Sequence, residues 1–205
     1  MQKLILATNL FSRANLLKQL SVPFEELFCE IEEKDVEIEN EYSPYEWVKS
    51  ISATKAKAVL DRVQGEAIII AADTIITDFG RILHRPRNKQ EAVTMLKNLQ
   101  GRKHTTYTGL TVIYHHENGT YEMDSYVDGV DVYMHHLSDK IIDAYTDTDE
   151  PYDRPGGYSI TGKGALLIEN IYGDYYTLAG LPLRLLNKSL FKHNIDIIDF
   201  WIKPQ

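Results

Sequence analysis

Residues 67–72 read Ala-Ile-Ile-Ile-Ala-Ala, six apolar positions in a row, and Asp73-Thr74 follow at once. A short, β-branched run without alternation is the pattern of a strand buried on both faces, so the chain must supply helices on both sides of a sheet. Asp73-Thr74 is expected to end this strand. A carboxylate at the carboxyl end of such a strand lies where ligands bind in open α/β sheets. It is costly there unless it is paired, hydrogen-bonded or bound to a metal. The alternative is a local turn that Asp73 caps through the backbone of residue 75 or 76.

The other elements fit the same architecture. Leu4-Ile5-Leu6-Ala7 is a second apolar strand, followed by the polar turn Thr8-Asn9 and by Leu16, Leu17 and Leu20 at helical spacing between Arg13 and Leu20. Phe24 to Ile31 reads as a strand. Ser43-Pro44-Tyr45-Glu46 combines an N-cap, a first-turn proline and a capping-box glutamate, and predicts a helix to about Val63. Asn88-Lys89-Gln90-Glu91 opens a helix to about Leu99. Strands are expected over 103–114 and 121–135 around the hairpin signal Asn118-Gly119. A helix from Leu137-Ser138 to about Thr146, a strand over 164–170 and a helix over 181–193 complete an α/β alternation.

The chain has 205 residues, 43% hydrophobic and 25% charged, which excludes disordered, collagenous and low-complexity classes. Its one cysteine, Cys29, excludes an intrachain disulfide and a Cys-rich zinc module. No apolar stretch approaches a membrane span, and the N-terminus does not read as a signal peptide, so a soluble cytoplasmic protein is expected. The net charge of −8 argues against a nucleic-acid polymer as partner. Nine acids and one base, Lys34, fall between Glu25 and Glu41, while acids and bases balance elsewhere. That segment is either a solvated acidic edge or the source of one or two carboxylates for a divalent cation.

Several residues could carry chemistry. The loop after the first strand offers Thr8, Asn9 and Ser12 near a helix N-terminus, and Arg13 adds a fork of donors suited to phosphate. It also suits an ordinary βα turn, and no Gly-rich phosphate loop of known spacing occurs. Lys55 and Lys57 point to different faces of one helix, so only one can serve a site. Arg85 precedes Pro86. Arg154 lies in Asp153-Arg154-Pro155-Gly156-Gly157-Tyr158, next to a stretch whose glycines allow close backbone approach to a ligand. The seven histidines show no metal spacing, and the acidic neighbours of Cys29 would suppress its thiolate.

Taken in order, these segments resemble the Maf family of nucleoside triphosphate pyrophosphatases, the septum-formation-inhibitor-like proteins. The resemblance runs through Leu4 to Thr8 with Arg13, Ile31-Glu32-Glu33, Lys55-Ala56-Lys57-Ala58, Ala72-Asp73-Thr74 and Arg85-Pro86-Arg87-Asn88. It continues through Leu99-Gln100-Gly101, Thr108-Gly109, Glu150-Pro151, Asp153 to Tyr158, Gly162 to Ala165, Gly173-Asp174-Tyr175-Tyr176 and Gly180-Leu181-Pro182. It implies a single domain over residues 1–205, with a curved mixed sheet, flanking helices and two lobes around a deep cleft. It further implies hydrolysis of the α–β phosphoanhydride of a nucleoside triphosphate, a divalent cation (Mg²⁺ or Mn²⁺) as cofactor, and a homodimer.

Carried over by position, Asp73 matches the catalytic proton acceptor and Glu33 an acidic position tied to metal and catalysis. Lys55 matches a helix lysine facing the phosphates, and Arg13 the second arginine of the opening loop. Arg85 is expected to join Arg13 and Lys55 in clamping the triphosphate, with Glu33 and Asp73 holding the cation and the attacking water. The chain departs from the family where Leu10-Phe11-Ser12-Arg13 replaces Ser-Pro-Arg-Arg, where Arg85 and Arg154 replace lysines, and where Thr161 replaces glutamine or glutamate. Base selection in the family is linked to the positions of Ser12, Thr74 and Thr161. Thr74 agrees with the dTTP/UTP-directed subgroup, while Ser12 and Thr161 fit neither that subgroup nor the one directed to 7-methyl-GTP. The expectation is a retained pyrophosphatase core with altered or weakened base selectivity. The alternatives are a pyrophosphatase for modified nucleotides and a nucleotide-binding regulator with little turnover.

Overall fold

The computed structural model describes residues 2–8, 10–29, 31 and 43–201. Among these residues seven strands form one mixed sheet: β1 (Lys3–Ala7), β2 (Glu25–Leu27), β3 (Ala67–Asp78), β4 (Arg81–Leu83), β5 (Lys103–His115), β6 (Tyr121–Met134) and β7 (Ile168–Tyr172). Their order is β2-β1-β3-β5-β6-β7, with β4 paired to β3. β1 runs parallel to β2 and β3, and the remaining pairs are antiparallel. Among the described residues six helices flank them: α1 (Phe11–Lys18), α2 (Pro44–Lys57), α3 (Lys89–Leu99), α4 (Asp139–Thr146), α5 (Tyr175–Ala179) and α6 (Leu183–Lys192). The expected mixed sheet with flanking helices is therefore present. Among the described residues no helix is long and apolar enough to cross a membrane.

The run at 67–72 is buried on both faces, as its composition requires. Ile68, Ile70 and Ala72 pack with Leu17, Leu186 and Leu190 of α1 and α6, while Ala67, Ile69 and Ala71 pack with Ala56 and Val59 on the α2 side. A third cluster joins Val130, Val132 and Met134 of β6 to Leu96, Leu99 and Ile142 of α3 and α4. α6 is also clasped to the sheet through Asp124, which accepts from Ser189 Oγ at 2.9 Å and pairs with Lys192.

β3 does not stop at Asp73. It continues to Asp78 because β5 pairs with it from Ala67↔His115 to Thr77↔Thr105, so the polar second half of the strand is held by a full ladder. On its other edge β1 pairs only as far as Ala71, and pairing with β4 starts at Ile76. Residues 72–75 thus have a strand partner on one side only, and Asp73 lies beside that opening rather than at a strand terminus.

Other boundaries shift for local reasons. The Ser43 side chain accepts from Glu46 N at 3.3 Å and Glu46 returns the bond, so the α2 start is the expected capping box. The helix ends at Lys57, and a 3₁₀ turn over Leu60–Arg62 takes up the rest of the expected length. The strand expected over 24–31 is only Glu25–Leu27 among the described residues. The strand expected over 164–170 begins at Ile168, because Lys163–Leu167 forms a 3₁₀ segment.

Candidate active site

Asp73 is buried, and alternation along β3 points it to the α2 face. α2 presents Val48, Ser52 and Lys55 to that face at positions i, i+4 and i+7. Opposite Asp73 in the ladder stands Gly109, where an added Cβ would lie 2.3 Å from the Val48 carbonyl oxygen. The bare glycine therefore lets α2 lie against the sheet backbone. Ser52 Oγ meets Thr111 Oγ1 at 2.9 Å and fixes the contact. One turn on, Lys55 Nζ donates to Asp73 Oδ1. Lys55 is buried whereas Lys57 is exposed, which settles which of the two faces the carboxylate.

A second cation reaches the same oxygen through the opening beside residues 72–75. Arg13, buried in α1, places Nη2 3.8 Å from Asp73 Oδ1 and donates from Nε to the Gly180 carbonyl at 3.0 Å. Asp73 Oδ2 is buried and has no hydrogen-bond partner among the described residues. One carboxylate oxygen is thus neutralised by two cations and the other is presented bare.

Thr74 faces the opposite side. Its hydroxyl meets Thr108 Oγ1 at 2.9 Å, and Thr108 donates to the Thr177 carbonyl at 2.7 Å. Here a cleft of about 650 Å³, its mouth included, has Arg13, Arg85 and Arg154 as its cations and Ile76, Ile160 and Leu178 as apolar wall. Arg154 Nη1 donates to Ser12 Oγ at 3.4 Å, and Arg85 Nη1 to Asp153 Oδ1 at 3.3 Å. Asp73 and Thr74 both line this cleft. The arrangement can hold a polyanion at its arginines, an apolar ring against its wall, and a water or cation at Asp73 Oδ2.

A sequence model of the Maf-like protein family matches residues 3–193. The chain belongs to the Maf family. A dTTP/UTP pyrophosphatase of Thermoanaerobacter sp. (strain X514) is 37% identical over 195 residues, covering 95% of this chain and 98% of that protein. One from Bacillus cereus is 38% identical and one from Bacillus anthracis 39%, each over 197 residues covering 96% of this chain and 98% of the relative. Among solved structures, a HAM1 protein from Coxiella burnetii aligns over 64% of this chain and 73% of its own, at 16% identity and a TM-score of 0.37. That likeness carries no weight for fold or function.

In this Maf chain the structure gathers Asp73, Arg13, Ser12, Thr74, Arg85 and Arg154 around one opening, and Lys55 joins them through Asp73. Thr161 lies in an adjoining hollow that shares Ser12, Arg154 and Ile160 with the cleft, and its hydroxyl meets Ser159 Oγ at 2.9 Å. The Thr8 hydroxyl accepts from Leu10 N at 3.0 Å and shapes the loop. Glu33, with Glu30 and Glu32, lies outside the described residues. Among the described residues no three potential metal ligands cluster. Cys29 is buried behind α2, its thiol directed to the Lys55 carbonyl at 3.6 Å.

The sequence motifs contain Gly109, Glu150 and Gly180, but nothing in them shows how these residues build the Maf site. Gly109 admits α2, and the Gly180 carbonyl orients Arg13. Glu150 accepts from Lys163 N at 2.7 Å and Gly164 N at 2.8 Å, while Tyr145 donates to it at 3.0 Å. The signal for Glu150 was available: the glycine-rich stretch after Arg154 has free amides that need an acceptor. Tyr158, the last residue of the Asp153–Tyr158 stretch, lines the cleft, as does Thr106, which gave no signal because threonine in a strand is commonplace.

Proposed function

We propose that this chain hydrolyses a nucleoside triphosphate between its α- and β-phosphates, releasing a nucleoside monophosphate and pyrophosphate. The observation that carries the reading is the asymmetric Asp73 carboxylate, with Oδ1 engaged by Lys55 and Arg13 and the buried Oδ2 without a partner among the described residues, in a side chain that lines a cleft rimmed by arginines. Membership of the Maf family and three relatives named as dTTP/UTP pyrophosphatases, aligned almost end to end, support the same reaction. The chain is accordingly a hydrolase acting on a phosphoanhydride.

Asp73 Oδ2 orients a water and takes its proton as the water oxygen bonds to the α-phosphorus. The α–β bridging bond then breaks and pyrophosphate leaves. Arg13, Arg85 and Arg154 hold the phosphates, and their bidentate forks suit phosphate oxygens better than lysine would. Lys55 holds Asp73 in one orientation. The donor set also fits a divalent cation of the Mg²⁺ type, which needs one or two carboxylates and completes its shell with substrate phosphates. Asp73 would hold it, with Glu33 as the second acid. Such an ion, when bound, neutralises the phosphate oxygens and acidifies water.

Base selection is altered or weakened through Ser12 and Thr161, whereas Thr74 keeps the residue of the dTTP/UTP-directed subgroup. The Ser12 hydroxyl is taken up by Arg154, and the short exposed Thr161 is bonded to Ser159 outside the main cleft. Pyrophosphate release from a nucleotide panel with Mg²⁺ or Mn²⁺ tests both statements. Asp73→Asn is expected to lose about 10²–10⁴-fold in turnover with an unchanged melting profile. Wild-type rates in that variant, or no release from any nucleotide, overturn the assignment. A strong preference for dTTP and UTP over all other nucleotides overturns the altered or weakened selection.

A further inference from the structure

α5 is five residues long, too short to hold its own shape without tertiary contacts, yet it delivers Leu178, Ala179 and the following Gly180 to the cleft. Gly180 lies in the left-handed region, at φ 102°. A Cβ there would sit 3.3 Å from Thr74 Oγ1 and 3.7 Å from Arg13 Nε, so this glycine is wedged between two residues of the site. Its carbonyl accepts from Arg13 Nε at 3.0 Å. The position of α5 therefore sets where Arg13 points.

What holds α5 in place lies behind the cleft. Asp174 caps its start, accepting from Tyr176 N at 2.7 Å. Thr177, fully buried at its middle, binds in two directions. Its hydroxyl donates to Asp128 Oδ2 of β6 at 2.9 Å. Its carbonyl accepts from Thr108 Oγ1 at 2.7 Å and from Gly180 N at 3.1 Å. Thr108 has one hydroxyl hydrogen and gives it to that carbonyl, so Thr74 donates to Thr108 and is held by it. Asp128 is itself fixed. Its Oδ1 accepts from Gly129 N at 3.1 Å, and its Oδ2 also accepts from Arg184 Nη2 of α6 at 3.0 Å. One carboxylate thus ties β6, α5 and α6 together. The tie reaches Thr74 through the Thr177 carbonyl and Thr108, and reaches Arg13 through Gly180. Neither Asp128 nor Thr177 lines the cleft.

We propose that Asp128 and Thr177 are positioning residues, whose hydrogen bond fixes α5 on the sheet and so aims Arg13 and Thr74 at the ligand. This rests on the triphosphate reading above. Without the Thr177 hydroxyl, Leu178 and Ala179 stay packed in their core clusters, so the fold persists. The polar tie to β6 is lost, and the Gly180 carbonyl shifts with α5. Arg13 follows its acceptor, and displacement of such a group by about 1 Å can lower a rate ~10²-fold.

The test uses the full chain with Mg²⁺ and two readouts: pyrophosphate release from a nucleotide panel, and affinity for inorganic triphosphate by calorimetry. Thr177→Val, which keeps the shape and removes the hydroxyl, should lower kcat/KM about tenfold to a hundredfold. It should weaken triphosphate binding by about threefold to tenfold, the usual range for one hydrogen bond. Thr177→Ser keeps the hydroxyl and should recover most of both. Asp128→Ala removes the acceptor at a half-exposed position and should reproduce Thr177→Val. A double-mutant cycle separates positioning from a general structural role. In an Arg13→Gln background, which keeps side-chain bulk at that buried site, Thr177→Val should leave triphosphate affinity nearly unchanged, because its effect passes through Arg13. This cycle needs no turnover. Such coupling in a protein that releases no pyrophosphate from any nucleotide upholds the positioning role and rejects the hydrolase. Hydrolysis with equal Thr177→Val losses in both backgrounds, or with no loss in either, rejects the positioning role and leaves the hydrolase standing. Thr177→Ser as impaired as Thr177→Val rejects it too.

Discussion

At the scale of single residues, charge buried without symmetry is the recurring device. Asp73 was legible because six apolar residues deliver it into the interior, where a carboxylate needs a reason. Its two cations were legible as residue types but not as partners, since nothing in the spacing of Arg13, Lys55 and Asp73 says that they share one oxygen. His104 was illegible, because an isolated histidine on a long strand carries no signature. Burial lowers its pKa to about 4 from an ordinary 6.5, and this sets a pH dependence with a definite sign. Above pH 6.5 the ring is neutral in both folded and unfolded chains. As pH falls from 6.5 towards 4, the unfolded chain takes up a proton that the folded chain refuses, so stability falls. Below about pH 4 both states are protonated and the penalty is constant, at ~3 kcal/mol. Thermal melting of wild type and His104→Gln across pH 7 to 4 should show the variant losing less stability over that window. Parallel curves would mean that the imidazole titrates as it does in water.

At the scale of elements, starts were more legible than ends. Ser43 and Asn88 cap their helices as composition dictates, because capping is a local hydrogen bond between near neighbours. The far end of β3 was misread because Asp73-Thr74 resembles a strand terminus, whereas pairing with β5 carries the strand to Asp78. The apolar stretch at 164–167 was misread as strand because Glu150, distant in sequence, takes the amides of Lys163 and Gly164 and holds the segment in 3₁₀ form. The packing of α2 on β5 depends on Gly109 in the same non-local way. Gly109→Ala puts a methyl group into the Val48 carbonyl, so α2 must move off the sheet and carry Lys55 away from Asp73. The variant should lose about 1–3 kcal/mol of stability in urea denaturation, the usual cost of overpacking. Its turnover should fall more than its nucleotide affinity, because the phosphate-holding arginines sit on other elements. Wild-type stability together with wild-type turnover would show that the close approach of α2 is dispensable.

At the scale of the whole molecule, the cleft is built from segments that no local reading connects. Arg13 and the Gly180 carbonyl that orients it are 167 residues apart, and Arg154 reaches Ser12 across 142. A ligand in the cleft would therefore touch the α1 start, the middle of β3, the 153–160 stretch and the segment after α5 at once, tying both ends of the chain to its centre. Whatever binds only the folded arrangement stabilises it by mass action, by about 2.7 kcal/mol at a hundredfold excess over Kd. For a chain of this size that corresponds to a rise in Tm of roughly 5–10 °C. A non-hydrolysable nucleoside triphosphate analogue with Mg²⁺ should produce such a rise. Inorganic triphosphate should give a smaller one, because it fills the arginine rim and leaves the Ile76–Leu178 wall uncovered. Arg154→Ala should weaken both shifts through the rim. Equal shifts from the nucleotide analogue and from triphosphate would mean that the base makes no contact with the wall. The cleft would then act as a polyphosphate site in which the base stays in solvent.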